Sequence, residues 1–317
     1  MSSTTAVRRA LKATSTALFM AGDRLGVHIL PKHYYTPVPD YRWLQQNRAL
    51  WRRRVDLTGV CWDLEDQLTW LRRHCEPFRE EVRGLEIYRA AQSAGYGPGF
   101  GPIESQVMHC ICRSVRPRRI IEIGSGVSTR CMLEALRRNE LEGGAQCEVT
   151  CIEPFPSPLL RREQEIRIVE SFAQSVDPAL FDSLEAGDIL SIDSTHSVKT
   201  GSDVPFLYLE VLPRLRSGVL VHIHDIFLPY LYKRDVLRSL IDWQETSLLL
   251  ALLKGNSELR VRACMSALHY DHGKELQEIL PDYEPQSESE SGLAPPDASG
   301  HFPASTWLGV ERVSPEI

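Results

Sequence analysis

Between residues 118 and 225 two kinds of segment take turns along the chain. The runs "RRIIEIG", "CEVTCIEP", "IRIVES", "DILSIDS" and "GVLVHIHDIF" read as short buried strands. The intervening "STRCMLEALRRNEL", "SPLLRREQE", "PALFDSLEAG" and "DVPFLYLEVLPRL" read as helices, the middle two short. Strand and helix alternating this regularly specify a parallel sheet with helices on both faces. The fold class predicted is α/β: a doubly wound, mostly parallel, Rossmann-like sheet.

The flanks are less regular. Residues 1–30 predict one helix ending near Gly26, followed by "LPKHYYTPVPDY", whose three prolines make it an extended connector. Residues 41–83 are helical in pattern, with Trp43, Leu44, Leu50 and Trp51 and then Leu64, Leu68 and Leu71 near helical spacing. Arg52, Arg53 and Arg54 read as a solvated face, or as a grip on an anionic substrate. "GYGPGFGP" is a loop with unusual backbone freedom, and "IESQVMHCICRSV" is a helix stopped at Pro117. Beyond residue 230, helices are expected through 231–253. "VRACMSALHYD" stays ambiguous between strand and helix, and 284–305 has the composition of a flexible polar loop. "STWLGVERV" reads as a final strand returning to the sheet edge. The expected divisions are a helical N-terminal cap over 1–94, the core over 95–283, the loop over 284–305, and a strand with tail over 306–317.

A net charge of −6 over 317 residues argues against a nucleic-acid or anionic-membrane partner held by bulk charge. None of the eight cysteines has zinc-ribbon spacing. All read as reduced thiols of a cytoplasmic protein, with Cys110 and Cys112 filling a core. Arg8, Arg9 and Lys12 before "ATSTALFMAG" faintly suggest a signal peptide, but Thr14, Ser15, Thr16, Asp23 and Arg24 make an amphipathic helix the better reading. No apolar run approaches the roughly 20 residues of a membrane span.

In "IIEIGSGVSTR", Gly124 and Gly126 sit where a strand passes into a helix, a place where glycines let the backbone approach a ligand closely. Glu153 closes the next strand, 29 positions after Gly124, where an acid can accept both hydroxyls of a ribose. Helix entry before Pro154 is its structural alternative. Glu122 lies inside the first strand. A buried carboxylate there needs compensation, from a cationic ligand or from loop amides.

A strand, then acid–x–Gly–x–Gly, then an acid ending the second strand resembles the class I S-adenosylmethionine-dependent methyltransferases. The resemblance covers roughly residues 95–235 and the closing strand near 307–313. Within that superfamily, "GVHILPKHYYTPVPD", "GPGFGPIES", "EIGSGVST", "IDSTHSVKTGSDV" and "VHIHDIFLP" are similar to a bacterial family of small-molecule methyltransferases of polysaccharide or secondary metabolism. The resemblance implies seven strands and S-adenosyl-L-methionine as donor. It places Glu122, Gly124, Ser125 and Gly126 on the methionine part, Glu153 on the ribose, and Asp193 in the donor site. Ser128 and Thr129 stand where a third glycine often sits, and a hydroxyl there can cap the helix.

A second constellation follows. Asp193 ends the fourth strand with His196 three residues on, and His224 and Asp225 end the fifth. In a doubly wound sheet these positions open onto the crevice where strand order reverses. Two chemistries fit. His196, or else His224, can take the proton of an acceptor hydroxyl. Asp193, His224 and Asp225 can instead hold Mg²⁺ or another divalent ion that lowers the hydroxyl's pKa. The layout is similar to metal-dependent catechol-type methyltransferases, except that Ile226 stands where those have an amide side chain. His222 reads as a packing histidine, Asp203 as a helix cap and Lys199 as a solvated charge. His33, Tyr34 and Tyr35 read equally as an active-site cover or as plain packing. Gly97, Gly99 and Phe100 could close over the donor.

The function expected is methyl transfer to an oxygen, less readily a nitrogen, of a small molecule. The rivals are a nicotinamide-dependent oxidoreductase, which lacks its third glycine here, and a silent binding protein that kept the fold. The acceptor and the oligomeric state stay open, a homo-oligomer among the alternatives.

Overall fold

The computed structural model describes residues 3–28, 30, 32–239, 242–286 and 299–312. The chain forms two compact units, Met1–Asn47 and Arg48–Ile317. In the first, α1 spans Ser3–Arg24 and Gly26, at φ 71°, follows its end, as expected. Asp40 starts α2 (Tyr41–Gln46) by accepting from the amides of Arg42 and Trp43 at 3.1 and 3.2 Å. Tyr34 and Tyr35 are exposed and meet edge to face.

The second unit begins with α3 (Arg48–Trp51), α4 (Leu64–Cys75), α5 (Arg79–Val82), α6 (Glu86–Ala94) and α7 (Pro102–Val115). Next come β1 (Arg119–Ile123), α8 (Val127–Leu141), β2 (Glu148–Ile152), β3 (Ile166–Val169), β4 (Ile189–Ile192), α9 (Asp203–Phe206) and β5 (Leu220–His224). It closes with α10 (Glu245–Leu253), β6 (Leu259–Cys264), α11 (Met265–Asp271), α12 (Gly273–Ile279) and β7 (Ser305–Val310). Here the expected cap over 1–94 is corrected: residues 48–94 go with the sheet. The reason is apolar burial and one hydrogen bond. Leu68 and Leu71 of α4 share a core with α7 and α8, and the buried Gln67 carbonyl accepts the Cys264 amide of β6 at 2.8 Å.

The seven strands lie in the order β3-β2-β1-β4-β5-β7-β6. The first five are parallel, and β7 runs antiparallel to both β5 and β6. One face is covered by α4, α7, α8, α11 and α12, with Trp307 fully buried among them. The other is covered by α10 and a helical stretch that starts at α9 and widens into a π turn over Leu207–Val211. Strand order reverses between β1 and β4, which sets the crevice at their carboxyl ends.

Two expectations fail at the C-terminal side. The last strand does not take the sheet edge; it inserts between β5 and β6. Every residue of β7 is buried, as an interior strand requires. β6 instead alternates buried residues with Arg260 and Arg262, and such charges suit an edge that must not pair further. The ambiguous "VRACMSALHYD" holds both answers, since its strand ends at Cys264 and α11 starts at Met265. Helix is also expected throughout 231–253, but among the described residues of that stretch only Glu245–Leu253 is helical. Residues 231–239 turn instead, with Lys233 Nζ 3.9 Å over the Trp243 ring and Arg234 4.3 Å over that of Phe302. Most of the polar loop, 287–298, lies outside the described residues. All eight cysteines are free thiols, with Cys110 and Cys112 buried. Among the described residues no helix is long and apolar enough to cross a membrane.

Arg113 of α7 is a buried cation that ties three elements together on this face. It donates to Glu81 of α5 at 2.9 Å, and also to Asn139 of α8 and to Glu142 just beyond it. Removing one partner of a buried pair strands the other. Arg113→Ala should therefore cost about 3 kcal/mol or more in chemical denaturation. Arg137→Ala, at the more open pair with Glu165, should cost under about 1 kcal/mol. Equal losses at the two sites would contradict this assignment.

Candidate active site

The bend after β1 is set by sterics. Gly124 has φ 77°, and a Cβ there would lie 2.0 Å from the Asp193 carbonyl oxygen. Only glycine lets the ends of β1 and β4 meet this closely. The Asp193 amide donates to the Ile123 carbonyl at 2.9 Å, locking the same junction. Gly126 faces another segment: a Cβ there would come within 3.0 Å of the Tyr96 carbonyl oxygen. Its amide donates to Thr129 Oγ1 at 3.0 Å, so the hydroxyl in place of a third glycine does cap the helix.

Glu122 is buried, and side-chain donors, not loop amides, hold it. Ser128 Oγ and Thr129 Oγ1, from the first turn of α8, donate to its two oxygens at 2.7 and 2.6 Å. The carboxylate thus pins the helix that follows the glycine bend. Burial pushes its pKa up to about 7; the hydroxyls pull the other way, and the charge of Asp193 adds to the rise. Glu153 turns back toward the bend. Ser125 Oγ donates to its Oε2 at 3.3 Å, and its Oε1 accepts the Phe155 amide at 2.9 Å.

Four side chains from the ends of β4 and β5 meet beside this bend. His196 Nε2 lies 3.3 Å from Asp193 Oδ1 and 3.6 Å from Asp225 Oδ2. His224 Nδ1 lies 3.4 Å from the same Asp193 oxygen and 3.5 Å from the same Asp225 oxygen. Both His196 and Asp225 hold positive φ, 56° and 55°, a strained backbone for residues that bear a Cβ. Burial disfavours charge on His196, but Asp193, Glu245 and Asp225 outweigh it and push its pKa up to about 10. His224 is likewise raised against its burial by Asp193 and Asp225. Asp193 is held below the usual carboxylate range by the two imidazoles, in spite of burial.

The sequence reading missed the residues that support this cluster. Glu245, buried at the start of α10, meets His196 Nδ1 at 2.7 Å, and Trp243 covers the His196 ring at 4.5 Å between centroids. Glu104 of α7, buried, accepts the Ala304 amide at 2.8 Å and stands 4.0 Å from His224 Nε2. Glu104 lies within "GPGFGPIES", where the sequence assigns it no role, and Glu245 carries no local motif; the signal each offers is an acid within an otherwise buried helix. Phe155 and Phe172, exposed and 5.8 Å apart, flank the ends of β2 and β3. For Phe155 the available signal is an aromatic two residues past Glu153, in "EPFP". A cavity of about 460 Å³ adjoins the cluster, lined by Glu104, His224, Asp225, Phe227, Trp243 and Phe302 among others.

Other residues resolve plainly. His222 is a packing histidine, 3.1 Å from Ser191 Oγ and against Trp307, and burial drives its pKa down to about 3. Asp203 starts α9 and also holds the Thr195 amide at 2.9 Å, so it shapes the loop that carries His196. Lys199 is exposed. Of the three arginines, Arg52 is buried over Tyr230, while Arg54 is exposed and pairs with Asp271. Phe100 is buried against His224 at 4.8 Å.

Comparison with known proteins gives the following. Residues 121–226 match a family model described as a methyltransferase domain. A protein of Archaeoglobus fulgidus, described as uncharacterized, is 26% identical over 187 residues, 56% of this chain and 83% of its own. The solved O-methyltransferase from Bacillus cereus in complex with SAH is 12% identical, with a TM-score of 0.44 over 75% of this chain and 96% of that one. TomG of Streptomyces achromogenes, an O-methyltransferase of tomaymycin synthesis solved with SAM, is 14% identical, with a TM-score of 0.40 over 86% and 98%.

The Glu122 burial has a measurable signature. A folded pKa of about 7, against the ordinary 4.5 of a solvated glutamate, gives stability that is full below the unfolded pKa and lost as pH rises through about 7. Glu122→Gln should then be the more stable protein at pH 8, by about 3 kcal/mol, with the gap closing as pH falls to about 4.5. A gap independent of pH in urea titrations, or a less stable variant at pH 8, would overturn this account.

Proposed function

We propose that this chain, whose residues 121–226 match a methyltransferase domain, transfers the methyl group of S-adenosylmethionine to an oxygen of a small molecule. The observation that carries this reading is convergence. The Gly124 bend abuts the Asp193 carbonyl, Glu153 turns toward Ser125, and the Asp193–His196–His224–Asp225 cluster lies where they meet. The family match leaves the nicotinamide oxidoreductase without support.

Each group has a role that its surroundings allow. Gly124, Ser125 and Gly126 bring backbone close to the methionine part, on a bend whose far side Glu122 pins. Glu153 accepts from the ribose hydroxyls. Phe155 and Phe172 offer apolar faces to the adenine. Asp193 attracts the positive end of the donor. The cavity beyond His224 and Asp225 holds the acceptor, with Phe100 and Trp243 limiting water.

In the reaction the acceptor oxygen forms a bond to the methyl carbon as the carbon–sulfur bond breaks, leaving S-adenosylhomocysteine. The hydroxyl must also lose a proton, and a proton-accepting cluster favours oxygen over an amine that is already nucleophilic. Two routes meet at this cluster. In one, the neutral form of His196, a minor species below about pH 10, receives the proton at Nε2 while Glu245 holds Nδ1. In the other, Asp193, His224 and Asp225, with His196 beside them, hold a divalent cation, which when bound would lower the hydroxyl's pKa. Asp193, His196 and His224 each offer a ligand atom, and these lie within 4.8 Å of one another, so the grouping favours His196 over Asp225 as the third ligand.

Calorimetry with S-adenosylhomocysteine and NAD separately should show binding of the first alone; binding of NAD alone would reject the proposal. Transfer of labelled methyl to a panel of hydroxylated acceptors separates an enzyme from a silent binder. Phe155→Ala with Phe172→Ala should weaken S-adenosylhomocysteine binding by roughly 1–3 kcal/mol, the range of base–aromatic stacking. An unchanged affinity would remove both rings from the adenine site.

A further inference from the structure

We infer that Asp193, His196, His224 and Asp225 form a mixed nitrogen–oxygen site for a first-row transition dication, such as Zn²⁺ or Co²⁺, in preference to Mg²⁺. The inference rests on the reading of this crevice as a methyl-transfer centre, and goes beyond it in naming the class of ion and in adding His196 to the ligands.

Geometry is the first ground. The four atoms alternate N and O around a ring whose contacts are 3.3, 3.6, 3.4 and 3.5 Å. Those contacts exceed the usual hydrogen-bond range of about 2.7–3.2 Å. A near-planar ring of that size leaves its centre about 2.4 Å from each atom, slightly beyond the ~2.0–2.2 Å of zinc bonds to nitrogen and oxygen. The ring is therefore loosely held as ion pairs, and a small inward shift of the side chains would seat an ion.

His224 supplies the second, independent ground. It is 3% exposed, and both its ring nitrogens are buried without a hydrogen-bond partner. A buried polar atom left so is costly, and an ion on Nδ1 removes that cost at one of the two nitrogens. His196 presents the complementary pattern. Its Nδ1 is taken up by Glu245 at 2.7 Å, which aims Nε2 into the ring. A carboxylate behind a histidine is the usual outer support of a metal-bound imidazole.

The donor chemistry then selects the ion. Mg²⁺ demands oxygen ligands near octahedral geometry, and two of these four atoms are imidazole nitrogens. Imidazole suits zinc, iron, cobalt and their neighbours. His224 and Asp225 also line the acceptor cavity, so one side of the ion faces the place where a hydroxyl would bind. In the loaded site His196 Nε2 is a ligand, and the acceptor proton is weakened by the ion instead of being taken by that nitrogen.

The test uses the full chain, stripped with a chelator and dialysed against Zn²⁺, Co²⁺ or Mg²⁺ alone, with metal content read by elemental analysis and S-adenosylhomocysteine binding by calorimetry. One equivalent of Zn²⁺ or Co²⁺ should bind at least about tenfold more tightly than Mg²⁺, and the Co²⁺ form should absorb in the visible. His224→Ala should lose the metal and the absorption yet still bind S-adenosylhomocysteine, which shows that it folds. Glu245→Ala should weaken the metal by roughly 10- to 100-fold. Mg²⁺ binding as tightly as Zn²⁺, or a chain that binds S-adenosylhomocysteine and no divalent ion, would overturn the inference while leaving the methyl-transfer reading standing. Metal bound as expected without S-adenosylhomocysteine would sink that reading instead and leave the metal site intact.

Discussion

The contact between Gly124 and the Asp193 carbonyl is the constraint on which the rest depends. It brings the ends of β1 and β4 together at the point where strand order reverses, with no room for even a methyl group. Once that junction is fixed, Glu153 at the end of β2 and the His224–Asp225 pair at the end of β5 are placed by parallel registers one strand away on either side. The crevice is thus a product of sheet geometry and a single glycine, and its chemistry is added by the side chains at four strand ends.

Local pattern carried much of this. Alternating periods predicted the five parallel strands and the helices that follow β1 and β4; the short helices expected after β2 and β3 are only 3-10 turns, Leu160–Arg162 and Pro178–Ser183. The acid and glycines after β1 and the acid after β2 lie at strand ends, so their place follows from the strands themselves. What pattern could not convey was contact at long range. β7 looks like any terminal strand until its burial on both faces puts it between β5 and β6. Arg52, one of three identical neighbours, is set apart by partners far along the chain, among them the Tyr230 ring and the Tyr232 carbonyl. Glu245 sits 49 positions from His196 and has no motif around it. Its buried carboxylate was informative all the same, since a helix that starts with an acid and then runs "SLLLALL" leaves that acid at the edge of a core.

The structure keeps several charges where stability alone would not. Glu122 is buried and held by two hydroxyls and a thiol, His224 has nitrogens without a hydrogen-bond partner, and His196 and Asp225 take backbone conformations that cost energy. These features lie within the same crevice, while the buried Arg113 on the opposite side of α7 is fully engaged with acids and an amide. Positive φ and unpartnered buried atoms occur elsewhere too, as at Leu85, Arg116 and His109. In the crevice, however, they gather on neighbouring residues at the strand ends, as in a site shaped for a ligand.

The insertion of β7 also bears on how the molecule is made. β5 and β6 are neighbours in sequence but do not pair with each other; they meet only through a strand that ends at residue 310. While the chain emerges from the ribosome, five parallel strands can assemble and leave the β5 edge bare. β6 then waits without a partner until β7 has emerged. The half-built sheet exposes an apolar edge during that interval, so synthesis itself imposes a period in which self-association competes with completion.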